Sequence, residues 1–91
     1  MQYELSRNDT AQQYELTIGG EVAGYASFQE RGDVLVLPHT VVEPQFRGQG
    51  LSKPLIQYAL DDARDRGLKV VPACSAVAGF IDATPEYRDL V

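Results

Sequence analysis

The chain has 91 residues, a formal net charge of -5, 44% apolar residues and 23% charged ones, which fits one globular domain with a thin core and is too little to divide between two. Acidity without any Lys/Arg cluster argues against nucleic acid and anionic membranes as partners, whereas a cationic acceptor would not be repelled. The single cysteine, Cys74, makes no intramolecular disulfide, the start MQYELSRND lacks signal-peptide character, and no apolar run could cross a bilayer, so a cytoplasmic protein, monomeric or weakly dimeric, is expected.

Tyr3 to Leu5 and Tyr14, Leu16, Ile18 alternate apolar with polar, and Val22 to Phe28 does so less cleanly; this is the period of strands with one buried face. Asn8-Asp9 supplies a turn between the first two strands, and Gly19-Gly20 is a two-residue hairpin signal between the second and third. Arg31-Gly32-Asp33 turns the chain into a fourth strand, Asp33 to Val42, which opens with the continuous apolar run of a strand covered on both faces. Pro38 interrupts that run, and because proline cannot donate to a ladder it predicts a bulge or a parting from a neighbour.

From Leu51 the period changes. Leu51, Leu55, Ile56, Ala59, Leu60 and Ala63 recur at helical spacing, with Pro54 tolerable in the first turn and Gly67 placed just past the end. Lys69 to Cys74 reads as a fifth, short strand, and a strand-helix-strand unit of this length implies a right-handed parallel crossover. Ser75 to Asp82 is a second short helix, and Pro85 to Leu90 a final helical turn capped by Thr84. The expected architecture is α+β in layers: a mixed, mostly antiparallel five-stranded sheet with one right-handed crossover, in a single domain spanning residues 1–91.

The stretch Gln45-Phe46-Arg47-Gly48-Gln49-Gly50 stands between the fourth strand and the first helix. A helix start leaves backbone N–H groups unpaired at the positive end of the dipole, so it attracts an anion where side chains permit approach. Arg47 and Lys53 flank the turn. There is no Gly-Lys-Ser/Thr ending, and Lys53 stands where the dinucleotide pattern needs a third glycine or alanine, so two familiar phosphate loops do not fit. Taken alone, a Gly-x-Gly of this kind is more often a plain tight strand-to-helix turn.

In context the stretch resembles the Q/R-x-x-G-x-G/A signature of the GCN5-related N-acetyltransferase superfamily. The surrounding HTVVEPQFRGQGLSKPLI, GLKVVPACSAVAGFI and PEYRDLV look like its small single-domain branch, often called YjdJ-type. The resemblance implies a minimal version of that superfamily's fold and acetyl-coenzyme A as co-substrate, with no metal. Arg47, Gly48, Gln49, Gly50, Leu51 and Ser52 would hold the pyrophosphate, and the backbone of Val41 and Val42 the pantetheine arm, between strands that splay apart near Val42 and Cys74. The acceptor would be an amine: a protein lysine, a polyamine or a small metabolite. Only Ser6 to Gln12 separates the first two strands, where larger members place helices that wall the acceptor pocket, so an open acceptor site is expected.

His39 is the only histidine. With an ordinary pKa near 6.5 it can take a proton from an ammonium acceptor at neutral pH; the resemblance puts its strand segment where the superfamily carries its base, while a lone strand histidine otherwise reads as structural. Cys74, as thiolate, can accept an acetyl group and pass it on with His39 as its base, or can simply be a small buried hydrophobe. Tyr87 reads as packing, and Val77, Phe80 and Ile81 as core, with Phe80 a candidate lining of the pantetheine channel. A second functional class fits the same residues: a coenzyme A-binding or protein-interaction module without turnover.

Overall fold

The computed structural model describes residues 2–91. The first two strands form a hairpin that is longer than its apolar pattern suggests. β1 (Glu4–Asn8) and β2 (Gln13–Ile18) pair from Glu4↔Thr17 to Asn8↔Gln13, so only residues 9–12 separate them, fewer than the Ser6 to Gln12 gap expected. Asn8 holds the turn by accepting the Ala11 N–H at 3.0 Å. β3 (Glu21–Ser27) returns through Gly19-Gly20, whose φ values of 59° and 82° are the left-handed pair a two-residue hairpin requires.

The remaining strands come in short pieces. β4 (Gln29–Arg31) carries on from β3; β5 (Val34–Val36) and β6 (Thr40–Val42) are the two halves of the expected fourth strand; β7 (Lys69–Val71) pairs in parallel with β5. The neighbour orders are β1-β2-β3-β6 and β4-β5-β7. Seven segments thus replace the five strands expected, because Phe28 and Pro38 each interrupt a longer run, and β7 stops before Pro72 instead of reaching Cys74.

Pro38 marks a bulge. From Gln29↔Val36 to Ala26↔Thr40 the chain advances three residues on one strand and four on the other, so one extra residue is taken up around the proline. Backbone direction reports the same event. Leu37 donates to Val71 O on the β7 side at 3.0 Å, whereas His39 accepts from Ser27 N on the β3 side at 2.9 Å; residues two apart in a regular strand would point the same way.

α1 (Ser52–Asp65) lays Leu55, Ile56, Ala59, Leu60 and Ala63 onto the sheet, against Tyr14, Leu16, Ala26 and Leu35, all fully buried. Space at Gly24 of β3 is tight chiefly on the β6 side: a Cβ there would stand 3.1 Å from Val41 O, with Leu55 Cδ2 of the helix in ordinary contact at 3.6 Å. The helix ends as expected, at Arg66 with Gly67 beyond it. α2 (Ser75–Ala83) adds Val77 and Ile81 to the same core, followed by a 3-10 segment, Pro85–Leu90. Thr84 precedes that segment but its side chain makes no capping bond; its N–H instead closes α2 on Ile81 O at 3.2 Å. Tyr87 is packing, as expected: its ring lies 5.7 Å from that of Phe80, and its hydroxyl donates to Asp61 at 2.8 Å.

Two consequences of this layering bear on function. The core cluster lies on the α1 side of the sheet, while the side chains that alternate to the other side, including Ser6, Glu15, Tyr25, Ser27, Val36, His39 and Val41, are none of them buried. One sheet face is therefore uncovered. On the covered face, the Arg7 guanidinium, 12% exposed, joins β1 to α1: it donates to Tyr14 OH, to Asp62 and to Glu30, each at 3.0 Å, and lies 4.3 Å above the Phe28 ring.

Candidate active site

The parting of the strands supplies the site's framework. β5 is held on both sides, by β4 and by β7, but past the bulge β6 keeps only β3. Ser27 N donates to His39 O and Glu43 N to Ala23 O, so by antiparallel alternation residues 39, 41 and 43 turn their backbone groups to β3 and residues 40 and 42 turn theirs to the open edge. A ligand in the splay would thus meet the backbone of Thr40 and Val42, whereas Val41, paired with Tyr25, uses its own on β3. The Val42 carbonyl accepts from Arg47 Nε at 3.0 Å, which lays the arginine against that edge.

The glycine turn follows within a few residues. Pro44–Phe46 make one 3-10 turn, Gly48 and Gly50 adopt φ values of 84° and 70°, and α1 begins after Leu51 without any side-chain cap. Among the described residues, the amides of residues 48 to 53 bond to no other backbone or side-chain group. Pro54 has no N–H to add, which suits its place in the first turn. A Cβ on Gly48 or Gly50 would meet no protein atom within 4 Å; glycine is required there for the left-handed backbone and not for internal space. The result is a row of open donors at the positive end of a 14-residue helix, a donor set that fits a pyrophosphate.

From the turn a groove of about 490 Å³ runs between the helices, with Ser52, Lys53 and Ile56 of α1 on one wall and Ala76, Gly79 and Phe80 of α2 on the other. Phe80 is half-buried here. A second depression, about 570 Å³ around Tyr3, Thr17 and the Gly19-Gly20 turn, shares no residue with the glycine turn.

His39 and Cys74 are not brought together. Thr40 is the cross-strand partner of buried Ala26, so its side chain is on the covered face, and its Oγ1 accepts from Cys74 Sγ at 3.7 Å. His39 lies opposite Ser27, on the uncovered face, where it is exposed. Thr40 is the residue that sequence reasoning passed over; the signal for it was Pro38, once its bulge is counted as one added residue. At Cys74, burial raises the thiol's pKa, but the Thr40 hydroxyl and the facing amides of Ala76 and Val77 at the start of α2 outweigh it and hold the thiol below its ordinary value; none of those amides closes to a full capping bond. Replacing Thr40 with valine removes one of these stabilising groups while keeping the side chain's shape, so T40V should raise the Cys74 pKa and slow its alkylation by iodoacetamide near pH 8, as read by intact mass.

The GCN5-related N-acetyl-transferase family model matches residues 13–90. No curated protein matches the sequence. Among solved structures, a GCN5-like protein from Staphylococcus aureus superposes with a TM-score of 0.73 at 19% identity, covering 96% of this chain and 85% of that one. The ribosomal-protein-S18-alanine N-acetyltransferase of Escherichia coli gives 0.66 at 26% identity over 85% of this chain, which spans 53% of the length of that enzyme. N-acetylglutamate synthase from Neisseria gonorrhoeae, in complex with coenzyme A and N-acetyl-glutamate, gives 0.57 at 21% identity over 75% of this chain and 18% of its own. With the match running from β2 through the Gly19-Gly20 hairpin, the glycine turn and the crossover, the chain belongs to the GCN5-related N-acetyltransferase family.

Proposed function

We propose that this chain binds acetyl-coenzyme A and transfers the acetyl group to an amine, as a cytoplasmic enzyme active as a monomer or weak dimer. The observation that carries the reading is the row of unpaired amides at residues 48 to 53, set on a glycine turn beside the open edge of β6. The bound co-substrate supplies a thioester carbon open to attack by a free amine, with a thiol as leaving group.

The chain's own residues divide the work. The amides of Gly48, Gln49, Gly50, Leu51 and Ser52, with the charge of Lys53 beside them, hold the pyrophosphate, and Arg47 can turn from Val42 O to join them. The open-edge groups of Thr40 and Val42 offer hydrogen bonds to the amides of the pantetheine arm. His39, exposed on the uncovered face, takes the proton from the incoming ammonium, directly or through water, so that the neutral amine attacks. Cys74 lies on the other face with Thr40, and this separation favours direct transfer over a relay through acetyl-Cys74 with His39 as its base.

Saturating coenzyme A tests the site before any acceptor is known. At ~100 times its dissociation constant a ligand adds ~2.7 kcal/mol, which for a domain of this size raises Tm by about 10 °C or more. No shift would remove the site. A shift without acetyl transfer to any of a panel of amines and lysine peptides would favour the binding module, and an acetyl adduct trapped on Cys74 would restore the two-step route.

A further inference from the structure

The uncovered sheet face carries a pattern that the transfer reaction alone does not need. Strand register places Val41, Tyr25, Glu15 and Ser6 in one row across β6, β3, β2 and β1, beside a second row of His39, Ser27, Gln13 and Asn8. Glu15 is the carboxylate in the middle of this face. Its Oε2 is held by two neutral amides, Gln13 Nε2 at 2.7 Å and Asn8 Nδ2 at 3.2 Å, and among the described residues no cation pairs with it, in contrast to Asp9, Glu30, Asp62 and Asp89, which all carry arginine partners. Its cross-strand neighbour is Tyr25, which stands on β3, between the strand of the carboxylate and the strand of His39.

We infer that the amine acceptor is a dication: an aliphatic α,ω-diamine whose reacting nitrogen lies at His39 while its distal ammonium is held between the Glu15 carboxylate and the Tyr25 ring. The inference rests on the transferase reading. A carboxylate fixed by neutral donors keeps its full charge for an incoming cation, and a tyrosine beside it adds cation–π attraction. Between the two ends lie Tyr25 and Ser27, uncharged side chains over which methylenes can pass. Charge also sets the direction. The cations of this face, Arg31 and Lys69, sit at its β4–β7 end, with Arg31 bonded to Gln29 and Lys69 to Asp89 O, so a dication is drawn the other way, over β3 and β2. Two strand spacings separate β6 from β2, about 10 Å, which selects a long diamine over a short one.

The probes are 1,8-diaminooctane, 1,4-diaminobutane and octylamine, read both by acetyl-coenzyme A consumption and by amide NMR shifts of the free protein. The eight-carbon diamine should exceed octylamine in kcat/KM by about tenfold or more, through KM, and should shift the amides of Glu15 and Tyr25. E15Q should reduce the diamine to the level of octylamine, and E15D should recover part of the difference, with folding of each variant checked by its Tm. Octylamine used as well as the diamine, or an undiminished diamine KM in E15Q, would overturn the inference; so would the absence of shifts at Glu15 and Tyr25. Shifts at both residues without turnover would uphold the diamine site and sink the transferase reading instead.

Discussion

Coenzyme A binding should fall by ~100-fold or more in G48E, a loss of ~2.7 kcal/mol. Gly48 has a φ of 84° and nothing within 4 Å of where a Cβ would stand, so a new side chain would stand in open space on the same turn as the free amides. Two costs follow. A non-glycine residue in this backbone region loses about 1–2 kcal/mol, and a carboxylate ~5 Å from a phosphate at an effective dielectric near 20 repels it by ~3 kcal/mol. G48A carries the first cost without the second, and since that strain weakens binding only as far as the free turn relaxes out of this conformation, it should bind at most ~10-fold more weakly than the unmodified chain. Calorimetric titration of both variants separates backbone strain from charge, and binding of G48E at the original affinity would place the anion site elsewhere.

R7A should remove ~2–3 kcal/mol of stability, a large part of what a 91-residue chain commands. The guanidinium is 12% exposed and Asp62 23%, so the pair is only partly screened, and losing Arg7 also uncovers the Phe28 ring and leaves Tyr14 OH with Asp62 alone. The figure stays below that of a fully buried pair because Arg66 still holds Asp62 at 2.8 Å. A fall in the urea midpoint of about 2 M would express the change. Its pH dependence has a defined sign. Burial raises the Asp62 pKa, but the hydrogen bonds from Tyr14, Arg7 and Arg66 outweigh it and hold the carboxyl below its ordinary 3.8. Stability gained that way is complete above the unfolded value and is lost as pH falls through the lower folded one, so the gap between R7A and the parent should narrow in acid. An unchanged midpoint at neutral pH would show the network to be a surface ornament without energetic weight.

Much of this architecture could be read from residue order alone. The Gly19-Gly20 hairpin, the buried stripe of α1 with Gly67 past its end and the second helix all follow from local chemistry, because each depends on residues within a turn or two of one another. The glycine turn was equally legible as a donor site; its glycines set φ and leave the space around them open. What escaped the sequence depends on partners far along the chain. β1 extends to Asn8 through a polar stretch because β2 offers it a ladder, and Arg7, which reads as a surface charge in a strand of alternating residues, is drawn inward by Asp62, 55 positions away. Glu15 and Tyr25 fall on the open side of their strands by alternation, but the row they share with Val41 depends on strand register and is not written in local sequence.

The residue added at Pro38 acts as a change of parity. Before it, the odd-numbered Leu35 and Leu37 point into the core; after it, the even-numbered Thr40 and Val42 do, and the odd-numbered His39 and Val41 point out. The two sides of the site are thereby assigned by a single count: the Thr40–Cys74 pair falls on the face with the helices, and the histidine on the face open to an acceptor. Closing the bulge with every residue kept would carry the first parity through residue 42, burying an imidazole against α1 and turning Thr40 out, whereas deleting Pro38 would remove the extra residue and leave both faces as they are. Proline, which cannot donate to either ladder, opposes that closure and so keeps the two sides of the site from changing places.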